Sequence, residues 1–599
     1  MDKNGKYIDE PLDEYRSIYK DLHNQNSTEF IDKLIKESGV NPEENQETVK
    51  EIRTNEEKRE KIKKQISTQS FLKVFLIILV IVGLIVGGYL IYNFITIAPV
   101  TTNLLIAIGC ILLAAGLIVL LVLKINPKLK QLKKLKADFD SLIKELYEKA
   151  WQQMRPLNEL FYDGMSAEIF EKTIPLINFD PVFDSKRLDY LINRFGMHNQ
   201  ENKNRSTLYV KSGQINGNPF FICDDLVHNM GTKTYSNSIT IHWTTTSTGP
   251  NGKRYTNHHS QTLTASVTKP FPLYAEQPYL VYGNDAAPDL IFTRFDSDAE
   301  NMTERQIDRK VNKEIKKLEK KAEKSITKGE NYTVLGNSEF EVLFGATNRN
   351  NEVQFRLLFT PLAQKQLLKI MKETELGYGD DFDFVKNKKI NRIYPEHLQK
   401  FELNISPSYF YGYELENIRK KFIDYNNDYM RNVYFAFAPI LSIPLYQHTL
   451  PHEYIYKDLY ESYASFYEHE KVVNRMNEED FKHPLSVTRN ILKTKTIKSA
   501  DNHDQIRVTA YGYQGEERVD YIKKWGGDGK MHTIPVRWIE YLPVEKETDV
   551  DIAVTPEEKE LTYNERFRKY FEGLRDGSVD KEDVFKVGLL MAYVMKDKK

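Results

Sequence analysis

Cysteine is nearly absent from this chain. Of its 599 residues two are cysteines, Cys110 inside an apolar stretch and Cys223 far from it, with no Cys-x-x-Cys or Cys/His zinc spacing. A disulfide framework and a zinc-ribbon class are thereby excluded, and a reducing compartment is expected. Catalytic signatures are missing too. There is no Gly-x-Ser-x-Gly, no His-Glu-x-x-His, no phosphate loop and no dinucleotide fingerprint. No repeat of solenoid period is visible. The chain also lacks net charge, at −1 with a pI near 6.9, so the basic balance that bulk nucleic-acid binding needs is not there. Mean hydropathy is −0.53, which limits any membrane part to a small fraction. The length suggests about three or four folded units.

The most informative absence is local. From Val74 to Leu123 there is no Asp, Glu, Lys or Arg. That run is too long for one membrane span and suits two, at about Val74–Ile97 and Leu104–Leu123, since a span needs roughly 20 apolar residues. The link Ala98-Pro-Val-Thr-Thr-Asn103 is short and rich in turn formers, which predicts a transmembrane hairpin. Lys58, Arg59, Lys61, Lys63, Lys64 and Lys73 precede it, and Lys124, Lys128, Lys130, Lys133, Lys134 and Lys136 follow it. Basic flanks stay cytoplasmic, so both termini are expected on the cytoplasmic side of a cell membrane, with two passes. The same lysines can draw anionic lipid headgroups. Gly83 and Gly87 form a Gly-x-x-x-Gly pair, with Ala107, Gly109, Ala114, Ala115 and Gly116 in the second span. Such small residues serve close helix packing, between the two spans or between two copies.

Residues 1–70 are highly charged and read as a helical or disordered cytoplasmic tail. After the spans, 125–156 reads as a helical stalk with an apolar stripe at Leu129, Leu132, Leu135, Phe139, Leu142 and Leu146, ending before Pro156. It is suited to pair with the tail helix or with a second copy. Residues 157–400 read as a cytoplasmic α/β domain. Its Asn216–Gly217 is a hairpin turn, 238–269 is an inserted polar β-hairpin, and 303–326 is an inserted basic helix with a narrow apolar face. Phe340–Phe344 and Val353–Phe359 suit strands, Pro361 opens a helix, and Phe382–Val385 pairs with Ile390–Tyr394. Residues 401–490 are Tyr-rich and mostly helical. Residues 491–555 read as a β-meander with turns at Gln514–Glu516 and Gly526–Gly529, and 556–599 as closing helices. The fold class is therefore α+β.

The chemistry-bearing residues form few patterns. Cys223, Asp224, Asp225 and His228 cluster after an apolar run, where a Cys–His pair is the arrangement of a nucleophile and its base; a buried strand cysteine is the plainer expectation. Asp380, Asp381 and Asp383 lack the loop spacing of a calcium site. His448 and His452 are separated by Pro451, which spoils a helical metal pair. His258 and His259 are expected at the surface. Trp525-Gly-Gly-Asp-Gly-Lys530 is expected to be a hairpin turn and no phosphate loop. No catalytic, metal-binding or cofactor-binding residue is therefore assigned, and no cofactor is expected.

Several stretches resemble an uncharacterised family of bacterial membrane proteins with two N-terminal spans and a cytoplasmic α/β domain of unknown function. The resemblance lies in the paired spans and Lys-rich stalk, in Ser212-Gly-Gln-Ile-Asn-Gly-Asn-Pro-Phe-Phe-Ile-Cys-Asp-Asp225, and in Asn337–Phe344 followed by Phe355–Leu362. It covers roughly residues 71–395 and implies no site residues. The functional expectation is a membrane-tethered interaction or scaffold protein with a protein partner or a second copy of itself, and no nucleic acid. The alternatives are a membrane-surface enzyme of hydrolase type using Cys223, Asp224 and His228, and an accessory subunit of a transport or envelope system.

Overall fold

A computed structural model describes residues 7–96, 101–198, 202–248, 250, 252–329, 331–455, 462–500, 503–555 and 584–595. The chain is α+β and divides into two compact units. One is helical and comprises Ile31–Phe161 and Ser408–Phe422; the other comprises Met1–Phe30, Tyr162–Pro407 and Ile423–Lys599.

In the helical unit, Asn41 caps a helix that runs unbroken from Pro42 to Thr96, its Oδ1 accepting from Glu43 N at 3.1 Å. Pro42 at the first position and Glu43 and Glu44 in the first turn favour that start. A second helical stretch is built from Thr101–Leu120, a widened turn Leu121–Ile125, and Asn126–Asn158. Both are long and apolar enough to cross a membrane. Their seam buries Leu76, Val80, Ala114, Leu121 and Ile125. A Cβ on Gly83 would lie 3.6 Å from the Cys110 carbonyl oxygen, and one on Gly87 would lie 3.3 Å from the Ile111 side chain. The glycine pair thus serves close approach within the chain. Gly88, Gly109 and Gly116 have nothing against them. The link residues 97–100 lie outside the described residues.

The stalk packs on the helix preceding the first apolar stretch. Gln153 Nε2 donates to Glu44 Oε1 at 2.9 Å, and Tyr147 O–H to Glu56 Oε1 at 3.2 Å. Its buried positions include Leu129, Ile143, Ala150 and Leu157, at multiples of seven, with Met154 and Asn158 beside the last of them. Leu135 and Leu142, expected in the stripe, are 44% and 41% exposed. A 3.5-residue seam leaves them on its flank. Pro156 sits within the last turn of the helix instead of beyond it, where little backbone hydrogen bonding remains to be lost.

The other unit holds two antiparallel sheets. The first has β1 Ile177–Phe179, β2 Arg205–Ile215, β3 Asn218–Thr248, β4 Arg254–Gly283, β5 Ile291–Arg294, β6 Phe382–Asn387 and β7 Ile390–Pro395, in the order β1-β2-β3-β4-β7-β6-β5. The second has β8 Ile491–Ala500, β9 His503–Trp525, β10 Met531–Val554, β11 Phe585–Val587 and β12 Leu590–Val594, in the order β11-β12-β10-β9-β8. The Asn216–Gly217 turn forms, with φ of 48° and 82°.

Several expectations change. The charged N-terminal segment, expected to be helical or disordered, is helical and packed: Ile8, Leu12 and Tyr15 are buried, and Tyr434 O–H donates to the Pro11 carbonyl at 2.7 Å. Phe340–Phe344 and Val353–Phe359 are not strands. They fall in helices Ser338–Phe344 and Glu352–Leu358, capped by Asn337 and Asn351 side chains. Phe340 and Phe344 are four apart, so a helix stacks them at 4.8 Å, which a strand would not do. Gln514–Glu516 does not turn; β9 runs straight through it, with Gly515 opposite Tyr541. The described part of the C-terminal segment is the β11–β12 hairpin, with φ +56° at Gly588, and β12 pairs with β10. The helix expected over Pro556–Leu574 lies outside the described residues. The basic helix forms as Glu304–Thr327, with a Thr303/Gln306 capping box.

Candidate functional site: the paired β-ribbons

The inserted hairpin of the sequence is longer than its polar stretch. β3 and β4 have 31 and 30 residues. β2 covers β3 only as far as Val227, and β7 covers β4 only from Leu280 to Gly283. Beyond those points β3 and β4 leave the sheet as a two-stranded ribbon. From Met230 to Thr248 it spans about 60 Å at the usual strand rise. β9 and β10 do the same: β8 pairs β9 up to Tyr511, and β12 pairs β10 only over Val550–Val554.

A single two-stranded ribbon is marginal in water. Here each ribbon supplies the other's core. Ile241, Leu263 and Ala265 pack against Ile534 and Val536, with Tyr235, Ile239, Trp243, Val267 and Ile522 around them. Polar contacts fix the register. Lys269 Nζ meets Asp520 Oδ2 at 2.7 Å and lies 4.1 Å from the Trp538 ring centre, while Asn237 Nδ2 donates to the Pro535 carbonyl at 2.7 Å. Gly527 N donates to Gln261 Oε1 at 2.7 Å. A side chain on Gly527 would come within 2.8 Å of the Trp243 ring, so the glycine is needed for contact there.

Strand alternation then gives each ribbon an outer face. On β3–β4 it pairs Thr234 with Thr268, Ser236 with Ser266, Ser238 with Thr264, Thr240 with Thr262, and His242 with Ser260. All are exposed. On β9–β10 the outer pairs are Trp525 with Met531, Lys523 with Thr533, Tyr521 with Pro535, and Val519 with Arg537. Tyr521 and Trp525 are 69% and 67% exposed. One outer face is hydroxyl-rich and the other aromatic and aliphatic. The end of the pair is basic. Residues 229–275 contain no Asp or Glu, and 518–538 contain only Asp520 and Asp528. Hydrogen bonds from Lys269 and Trp538 hold the Asp520 carboxyl below its usual range. The His532 ring, 3.0 Å away, does the same for Asp528. No ion pair engages Lys253, Arg254, Lys523, Lys524, Lys530 or Arg537 among the described residues.

The residues singled out for chemistry do not converge. Cys223 is fully buried among Phe221 and Tyr279, and its Sγ donates to Asp225 Oδ1 at 3.1 Å. Burial, then the Asp225 charge, pushes the thiol well up. Asp224 and His228 point to the other face of β3. Asp224 has a buried Oδ1 without a hydrogen-bond partner. Burial, then Glu276, raises its carboxyl to about 8. His228 lies between Tyr274 and Tyr513, at 5.1 and 5.2 Å, and burial lowers its pKa. A nucleophile–base pair is therefore not assembled. Asp380 accepts from buried Arg294 at 2.5 Å, Asp381 bonds the His397 ring, and Asp383 accepts from Asp296 N at 3.3 Å. These three carboxylates serve separate structural bonds. His448 stacks near Tyr7 and His452 is exposed. His258 is exposed; His259 stacks on Trp243 at 5.2 Å. Trp525–Lys530 is a turn closed by Gly526 N to the Lys530 carbonyl at 2.8 Å. No group of His, Cys, Asp and Glu fit for a metal occurs among the described residues. A cavity of about 410 Å³ lies at the ribbons' base beside His228, Tyr274 and Tyr511.

No family model, no curated protein and no solved structure matches this chain. The reading rests on the residues above. Sequence reasoning had the polar hairpin and the Trp525 turn but not their partnership. A long acid-free stretch around that hairpin was the available signal.

Proposed function

We propose that the protein is a membrane-tethered interaction protein in which the apolar helical hairpin is the anchor and the paired ribbons are the binding element. The observation that carries the reading is the outer face of β9–β10, where Tyr521, Trp525 and Met531 stand largely exposed on a rigid, doubly supported ribbon. Exposed apolar clusters rimmed by charge mark interaction sites. Support for the anchor is the outward apolar surface of the two long helices, where Ile85, Leu105, Leu112 and Leu123 are more than 60% exposed. Water would disfavour that surface and a bilayer would cover it. The basic flanks favour cytoplasmic ends. Cys223, Asp224 and His228 support no hydrolase, since the Cys223 side chain faces away from the other two.

Two experiments test the reading. The protein should stay in the membrane fraction through an alkaline carbonate wash, and a variant lacking 74–123 should not. A photo-crosslinking residue at Tyr521 should give adducts in cells, whereas one at the equally open Val353, 78% exposed, should not. Extraction by carbonate would remove the anchor. Equal labelling from both positions would remove the binding face.

A further inference from the structure

We propose that the turn end of the β9–β10 ribbon docks on an anionic lipid surface, with Trp525 and Met531 entering the headgroup layer and Lys523, Lys524 and Lys530 facing the lipid phosphates. This deepens the interaction reading and rests on it for the arm as binding element, while not requiring the anchor. Three features converge. The end is cationic with no acid left free, since Asp520 and Asp528 are both engaged. The aromatic groups beside the lysines are exposed, Trp525 at 67% and Tyr521 at 69%. Trp and Tyr with Lys nearby is the composition of a membrane–water interface. The outer face also carries aliphatic Met531 and Val519, exposed by 49% and 40%.

That last feature separates lipid from the rival anion. Single-stranded nucleic acid is held by basic grooves and stacked aromatics. Aliphatic side chains on the same face give bases nothing to stack on but suit acyl chains. The turn is suited to shallow insertion: it is tight, its Gly529 has φ +73°, and its backbone ends are closed internally. The basic helix Glu304–Thr327 makes a weaker candidate. Its Lys310 and Lys321 already donate to the Ser297 and Thr347 carbonyls at 2.7 and 2.6 Å, and Glu314 accepts from Lys317 at 2.7 Å.

The full chain, held in nanodiscs of phosphatidylcholine, is mixed with separate vesicles of phosphatidylcholine alone or with added phosphatidylglycerol, and floated. Capture is expected with phosphatidylglycerol only, falling as salt rises. K523E/K524E/K530E should weaken capture at least about a hundredfold, from roughly fivefold per lysine near a charged surface. W525A/M531S should weaken it by about tenfold or more. These positions are exposed, and unchanged circular dichroism would confirm the fold. K313E/K316E/K320E on the basic helix should leave capture intact. Capture that survives the ribbon triple variant, or that is lost equally with the helix variant, overturns the proposal. So does oligodeoxythymidine binding without vesicle capture. Protein that enters nanodiscs yet captures nothing overturns the lipid surface and spares the tether. Protein that stays outside nanodiscs yet floats with phosphatidylglycerol vesicles supports the surface and sinks the tether.

Discussion

Ile534→Ala should unfasten the ribbons without unfolding the sheets that bear them. Ile534 is fully buried and faces Ile241 and Leu263 across the ribbon interface. Removing its outer carbons forfeits about 2.4 kcal/mol of transfer energy, and the cavity left behind brings the cost to about 3–4 kcal/mol. The ribbon core has few buried members, so little can collapse to compensate. Local opening energies are lower than global ones at such extensions. The loss should appear as roughly a hundredfold faster amide exchange, or more, confined to the arm. Hydrogen-exchange mass spectrometry reads it directly. Peptides over 233–243, 261–267 and 518–538 should lose protection, and those over 177–223 should keep it. A loss spread evenly over 177–223 would mean that the ribbons are not a separate cooperative unit. No loss anywhere would mean that they do not pack on each other.

Two further predictions concern β3. Asp224 holds its proton to about pH 8 when folded and only to about pH 4 when unfolded. Between those values the folded state carries a proton that the unfolded state has shed, so stability falls as pH rises. Asp224→Asn should therefore gain stability over the parent at pH 8, by at most about 5 kcal/mol, and nothing near pH 4, read from thermal melts; a parallel pH dependence in both proteins would refute it. In a C110S background, Cys223 should resist a colourimetric thiol reagent until denaturant is added, because its Sγ is buried and the thiol is pushed well up. Stoichiometric labelling of the native protein would refute that and reopen a nucleophilic role.

The sequence was legible where local patterns decide. The acid- and base-free run Val74–Leu123 predicts two long apolar helices, and they form. Asn216–Gly217 predicts a turn, and both residues take positive φ. Patterns misled where tertiary contacts outweigh propensity. The Phe-rich segments after Asn337 and Asn351 suggest strands by composition, yet the two asparagine caps and the i, i+4 phenylalanines are satisfied only by helices wrapped around Phe292. Gly515 suggests a turn, but in an extended strand its missing side chain admits Ile539. The pairing of the ribbons was the least legible. The two ribbons lie some 290 residues apart, Ile241 and Ile534 for example. Each hairpin alone reads as polar because only alternate residues face the interface.

What brings those halves together is the helix Phe466–Arg475. It presents Glu468, His469 and Glu470 in succession, each about 1% exposed or less. Glu470 accepts from Thr207 N of β2 at 2.9 Å and from Lys493 Nζ of β8 at 2.5 Å. Glu468 accepts from Phe183 N at 3.0 Å, and the His469 ring meets Asp504 of β9 at 3.0 Å. Each bond is directional, and both sheets contribute partners. Apolar packing alone would let the sheets slide over one another. The ribbons touch from Phe271 against Tyr541 near the base out to Ile241, about 14 residues or about 45 Å beyond β2's last pairing with β3, so a rotation at the base would be felt most at the far end of their shared core. Breaking one of the buried pairs would leave a charge uncompensated at a cost of about 3–5 kcal/mol. The buried charges therefore act on the candidate binding face without touching it, by holding the angle at which the ribbons leave their sheets.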